Sequence, residues 1–153
     1  MPKDEIVRRL NALLRELEDG RTGFAQAAEE CAAPELKTLM KECGEDCARA
    51  VNPLQKAVQS YGESAVQSGS VAGAARKGWI KLKSSMTPDS TLTAIGETEQ
   101  EHQRLEQAFQ AVLDDDELPM AIRSVVEQER AVVDRNLERI ATARQHYEAT
   151  ARH

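Results

Sequence analysis

Three prolines parse this chain. Pro34, Pro88 and Pro119 each stand just ahead of a long stretch in which apolar residues recur every three or four positions. Proline is tolerated in the first turn of a helix, where the missing N–H had no partner, and not in the interior. The spacing therefore predicts four long helices, over about Asp4 to Ala32, Pro34 to Tyr61, Pro88 to Leu113 and Pro119 to Arg152. Thr87 serves as N-cap to the third, and Asp89 suits its dipole. The whole chain, residues 1–153, reads as a single domain, long enough to bury a core without staples.

Each stretch carries an inward stripe. In the first it is Leu10, Leu13, Leu14, Leu17, Phe24, Ala27, Ala28 and Cys31. Gly20 and Gly23 lie in its middle, where each costs about 1 kcal/mol relative to alanine. We expect the helix to continue through them, with a flat spot on which another element sits closely. The second stripe is Leu36, Leu39, Met40, Cys43, Cys47, Ala50, Leu54, Val58 and Tyr61, with a bend expected between Arg49 and Pro53. The fourth is Ile122, Val125, Val126, Val132, Val133, Ile140, Ala143 and Tyr147, interrupted by Glu129 and Asn136.

Only the two-residue link Ala32–Ala33 separates the first two helices, which forces a hairpin. Between the second and third lies a segment too long for a hairpin turn. Its loop-like part, GESAVQSGSVAG, leads into GAARKGWIKLKSSM, a short extra helix with Ser70 as cap and Ala72, Ala75, Trp79, Leu82 and Met86 on one side. One long crossover among four helices predicts an all-α, ferritin-like antiparallel four-helix bundle.

Composition narrows the function. Aromatic residues make up 3% and charged residues 30%, with a net charge of −6. That balance argues against counterion-releasing contact with nucleic acid. No apolar run could span a bilayer, and the N-terminus lacks a signal core, so we expect a cytoplasmic protein with no transmembrane segment. The segment from Arg76 to Lys83 is basic and carries Trp79, the pattern of a membrane-surface helix, but its bulky apolar residues are few. Cys31, Cys43 and Cys47 read as reduced thiols lining the core, because cysteines four apart on one helix do not bridge. The acidic run Asp114 to Glu117 precedes a helix start and needs only the dipole to explain it.

The third helix holds the chemistry. Its stripe, Leu92, Ile95, Leu105, Phe109 and Val112, includes two polar positions, Glu99 and His102. Paired carboxylate bundles bind two metals with one Glu from each of two helices and a Glu-x-x-His from each of the others. Glu99 and His102 have that spacing, and Glu129 is the matching carboxylate on the fourth helix, but position 132 is Val132 and no second Glu-x-x-His exists. The sequence thus leaves two readings: a metal (iron) site at Glu99, His102 and Glu129, or a buried polar layer in which these three and Asn136 bond to one another. No phosphate loop, nucleophile elbow or Cys–His pairing is present.

Four sequence words add a resemblance. DG-x-x-GF-x-x-AAE spans Asp19 to Glu29, GS-x-x-G spans Gly69 to Gly73, GW-x-x-LK spans Gly78 to Lys83, and a GE-rich start of the third helix begins at Gly96. Together they resemble a bacterial family of small ferritin-like four-helix-bundle proteins grouped as a domain of unknown function. The resemblance covers most of the chain. It implies a ferritin-like bundle in a cytoplasmic bacterial protein, with a stress-related role, and glycines packed against the tryptophan-bearing crossover. It implies no activity. The reading favoured is a non-enzymatic, cofactor-free protein acting as a homo-oligomer or through a protein partner. The alternatives are a di-iron carboxylate protein with ferritin- or rubrerythrin-like iron or oxygen chemistry, and a protein that binds anionic membrane surfaces.

Overall fold

The computed structural model describes residues 3–31, 33–63 and 88–151. These form four helices with no strand among them: α1 (Lys3–Glu30), α2 (Pro34–Gln59), α3 (Pro88–Leu113) and α4 (Met120–Ala151). The crossover words, its expected short helix, the Thr87 cap and the basic Arg76–Lys83 stretch lie outside the described residues.

Local chemistry sets the ends. Asp4 and Glu5 occupy the first turn of α1, where carboxylates meet the positive end of the dipole. Ala33, extended, precedes α2 and offers no side-chain cap, so Pro34 at the helix start and Glu35 mark this terminus instead. α2 runs unbroken through Pro53. It ends where the Gly62 N–H bonds the Gln59 carbonyl, at a φ of 77° that only glycine adopts freely. The acidic run lies ahead of α4, whose own first turn holds no acidic residue. Asp115 is buried and its Oδ1 accepts the Glu117 N–H at 2.9 Å, closing a tight turn. The last carbonyls of α3 are claimed by arginines from two other helices. Arg9 donates to the Ala111 carbonyl, and Arg123 to those of Leu113 and Asp115.

The main helix contacts are α1 with α2, α3 with α4, α1 with α3 and α2 with α4. All contribute to one hydrophobic cluster. Leu10, Leu13, Leu14, Leu17 and Phe24 meet Leu36, Met40 and Leu54, Ile95, Leu105 and Phe109, and Val126, Val133 and Ile140. Each such side chain contributes on the order of 1.5–3 kcal/mol by leaving water. α1 runs unbroken through both glycines, and its close contact is made at Gly20. A Cβ there would lie 3.1 Å from Cys47 Sγ on α2 and 3.5 Å from Leu105 on α3. Gly23 faces open space.

The α4 stripe is narrower than its sequence suggests. Val126, Val133 and Ile140 are buried, whereas Ile122, Val125, Val132, Ala143 and Tyr147 are only half-buried. Residues seven apart fall on one line of contact, and the flanking apolar residues reach only the edges of that line.

Candidate functional site

Apart from Asp115 in the α3–α4 turn, the buried polar residues lie along the middle of the bundle. Thr98, Glu101 and His102 of α3 are buried, as are Glu18 and Asp19 of α1 and Asn136 of α4. The α3 stripe runs Ile95, Thr98, His102, Leu105, Phe109, Val112, alternating steps of three and four, with Ala94 and Glu101 buried alongside. Glu101, not Glu99, therefore goes inside beside His102. Position 99 lies on the flank toward α4 and is half-buried.

His102 is enclosed. Its ring tilts at 56° against Phe24 of α1, centroids 4.8 Å apart, and its Nδ1 lies 3.2 Å from the Thr98 carbonyl one turn back. Nδ1–H donates to that carbonyl in the neutral imidazole. The Thr98 hydroxyl in turn donates to the Ile95 carbonyl at 2.7 Å. Burial pushes the His102 pKa down to about 4, against the opposing pull of the Thr98 carbonyl and the Asp134 carboxylate. At neutral pH the ring carries no charge.

Glu99 turns the other way. It accepts from Arg144 Nε of α4, whose guanidinium also reaches Glu148. Gly96 makes room for that arginine: a Cβ at residue 96 would lie 3.2 Å from its Nη2. Glu129 is half-buried, and its pKa is raised by burial, with the Arg49 charge opposing. Asn136 donates from Nδ2 to Asp46 Oδ2 of α2 at 2.9 Å and accepts from Arg139, which also bonds Glu42. The expected layer joining Glu99, His102, Glu129 and Asn136 to one another is thus not what forms. Glu99, His102 and Asn136 each take a different partner, and Glu99 faces outward because the buried register of α3 passes through residue 98 rather than 99. Among the described residues no group of three or more His, Cys, Asp or Glu side chains, the Glu99–His102–Glu129 set included, converges as a metal would require.

Cys47 of α2 borders Glu18 and Glu101, with Cys43 one turn away. Cys31, Cys43 and Cys47 are free and buried. Burial pushes Cys43 up to about 12. It raises Cys47 further, helped by the charges of Cys43, Glu101 and Glu18. A thiol is nucleophilic only as the thiolate, so these are packing groups at neutral pH. Most of these buried groups are satisfied within their own helix, His102 by the Thr98 carbonyl, Thr98 by the Ile95 carbonyl and Glu18 by Arg21, while Asn136 reaches across to Asp46 of α2.

Two residues here escaped the sequence reading. Glu101 turns inward only with the register that buries Thr98 rather than Glu99, a choice the spacing left open. Gly44 carried no signal beyond being a glycine within a helix. A Cβ there would lie 3.3 Å from the Arg21 carbonyl oxygen and 3.4 Å from the Ala25 nitrogen, so α1 and α2 approach backbone to backbone at this point.

Compared with known proteins, residues 5–115, which take in α1, α2 and α3, match a family described as a domain of unknown function, DUF2383. No curated protein matches the chain.

Proposed function

The chain belongs to the DUF2383 family, and we propose that this member is a cytoplasmic, ferritin-like antiparallel four-helix bundle, one domain, that works without catalysis by self-association or by binding a protein partner. The order of the cross-helix contacts supports the topology. Arg9 meets Ala111 while Phe24 meets His102, Glu42 meets Arg139 while Asp46 meets Asn136, and Glu99 meets Arg144 while Glu106 meets Arg130. In each pair of helices, numbers rise on one as they fall on the other. α2 and α3 then run the same way, and the long segment between them is the crossover such a topology needs. No helix among the described residues is long and apolar enough to cross a membrane.

One observation carries the non-catalytic reading. The groups that would do chemistry are quenched by their surroundings: His102 is neutral on a backbone carbonyl, Glu99 is held by Arg144, and burial pushes the Cys43 and Cys47 thiols far above neutral pH. A stress-related role follows from the bacterial resemblance alone. The test is elemental analysis of untagged protein, as purified and after anaerobic loading with ferrous iron, beside Glu99→Ala/His102→Ala. Iron below stoichiometry and unchanged in the variant is the expected result. About two irons per chain, as a paired carboxylate site holds, lost in the variant, would overturn this reading in favour of a di-iron protein.

A further inference from the structure

Four successive residues of α1, Leu17, Glu18, Asp19 and Gly20, are all buried. At 3.6 residues per turn such a run takes in most of the helix circumference, and a helix with neighbours on two sides does not bury it. α2 lies against Arg21 and Ala25, whose backbone Gly44 approaches, and α3 lies on the side of Arg9. Asp19 faces outward between them, about 200° round the helix from the fully buried Leu17. It is nonetheless only 3% exposed. Thr22 and Gln26, one and two turns further along the same side, are half-buried. Ala12 and Arg15, two turns and one turn before it, are exposed. A cover over α1 therefore begins between Arg15 and Asp19.

The longest stretch of chain outside the described residues is the segment of residues 64–87. It leaves just past the end of α2 and rejoins at the start of α3. In the antiparallel arrangement those two points lie at opposite ends of the bundle, and α2, with 26 residues, is about 39 Å long. α2 and α3 are not among the pairs in main contact, so they sit on a diagonal, and the segment has to pass outside either α1 or α4. Burial separates the two routes. On the outer face of α4, Ser124, Gln128, Ala131, Arg135, Glu138 and Thr142 are all exposed. The covered face is that of α1.

Charge agrees with this route. Between Glu63 and Asp89 the chain carries Arg76, Lys77, Lys81 and Lys83 and no acidic residue. A carboxylate as deep as that of Asp19 needs a cation or hydrogen-bond donors against it, and the neighbouring Glu18 is taken by Arg21. We propose that residues 64–87 cross the bundle on the outer face of α1, over Asp19, Thr22 and Gln26, with their cations against Asp19 and Trp79 turned to the helix. The basic stretch then braces α1 and is not a surface for lipid. The inference rests on the antiparallel reading above and gives its crossover a seat.

Trp79 is the chain's only tryptophan, so its fluorescence reports on this segment alone. In the native wild type its emission should be blue-shifted and shielded from iodide, and phosphatidylserine vesicles should change neither. Trypsin should cut the native wild type after Arg76, Lys77, Lys81 or Lys83 at least about tenfold more slowly than Asp19→Lys, in which like charges meet. Asp19→Asn should fall between the two. Glu138→Lys, on the exposed face of α4, should behave as the wild type, and circular dichroism checks that each variant keeps its helices. Four results would each overturn the proposal: native Trp79 as open to iodide as in urea, a blue shift that comes only with vesicles, cleavage that Asp19→Lys leaves unchanged, or release of the segment by Glu138→Lys. The first two are read on the wild type, so a variant that does not fold cannot hide the answer. A bismaleimide crosslink between Arg9→Cys and Ala111→Cys reports the antiparallel run of α1 and α3 by itself, which keeps a failure of that reading apart. None of these outcomes involves iron, so failure here is also distinct from failure of the non-catalytic reading.

Discussion

Acid should cost this protein stability through one imidazole. His102 is held down to about 4 in the folded chain and returns to an ordinary value near 6.5 on unfolding. Above 6.5 the ring is neutral in both states and its titration contributes nothing. As pH falls below 6.5 the unfolded chain takes up a proton that the folded chain refuses, so stability declines until pH 4, below which both states are protonated. The loss attributable to His102 is about 1.4 kcal/mol at pH 5.5, about 2 kcal/mol at pH 5 and about 3 kcal/mol at pH 4. The physical cause is the enclosure: Phe24 covers the ring, and the Thr98 carbonyl and Asp134 only partly repay the lost hydration of the cation. Other groups titrate in the same range. Burial raises Glu106 and Glu129, so each protonates first in the folded state and favours folding as pH falls, the opposite sign. Comparison with His102→Gln cancels them. Urea unfolding of both proteins between pH 7.5 and 4.5 should show the wild type losing about 2 kcal/mol more than the variant by pH 5. Equal losses, or a His102 ring signal titrating near 6.5 by NMR, would refute the argument.

Two other outcomes follow from packing and burial. Gly23→Ala should stabilise by up to about 1 kcal/mol, since a methyl there meets open space and helix propensity alone acts. Gly44→Ala should destabilise by about 1–2 kcal/mol, because its neighbours are α1 backbone atoms that cannot step aside, and urea midpoints that shift in the same direction would count against the reading. The thiols of Cys43 and Cys47 should resist an aromatic disulfide reagent at pH 8 in the native protein and react at once in denaturant, whereas prompt native reaction would contradict their burial.

Helix by helix, the chain's own letters were enough to place the elements. Proline marked the starts, and the three-and-four spacing of Leu10, Leu13, Leu14 and Leu17 or of Leu105, Phe109 and Val112 named a buried face that the structure keeps. That works because helix period and proline chemistry are local. The site was less legible. Spacing alone could not choose between residues 98 and 99 as the inward position of α3, because both satisfy a helical period when counted from different ends. Only packing against Phe24 on one side and Arg144 on the other turned Thr98 in and Glu99 out. Likewise the sequence marked Gly20 and Gly23 as equivalent, and Gly44 not at all, while the helix crossing put Cys47 against one glycine, nothing against the second and the α1 backbone against the third. Burial, pairing and pKa belong to groups far apart in the chain, so periodicity names the candidates and the tertiary structure decides which of them meet.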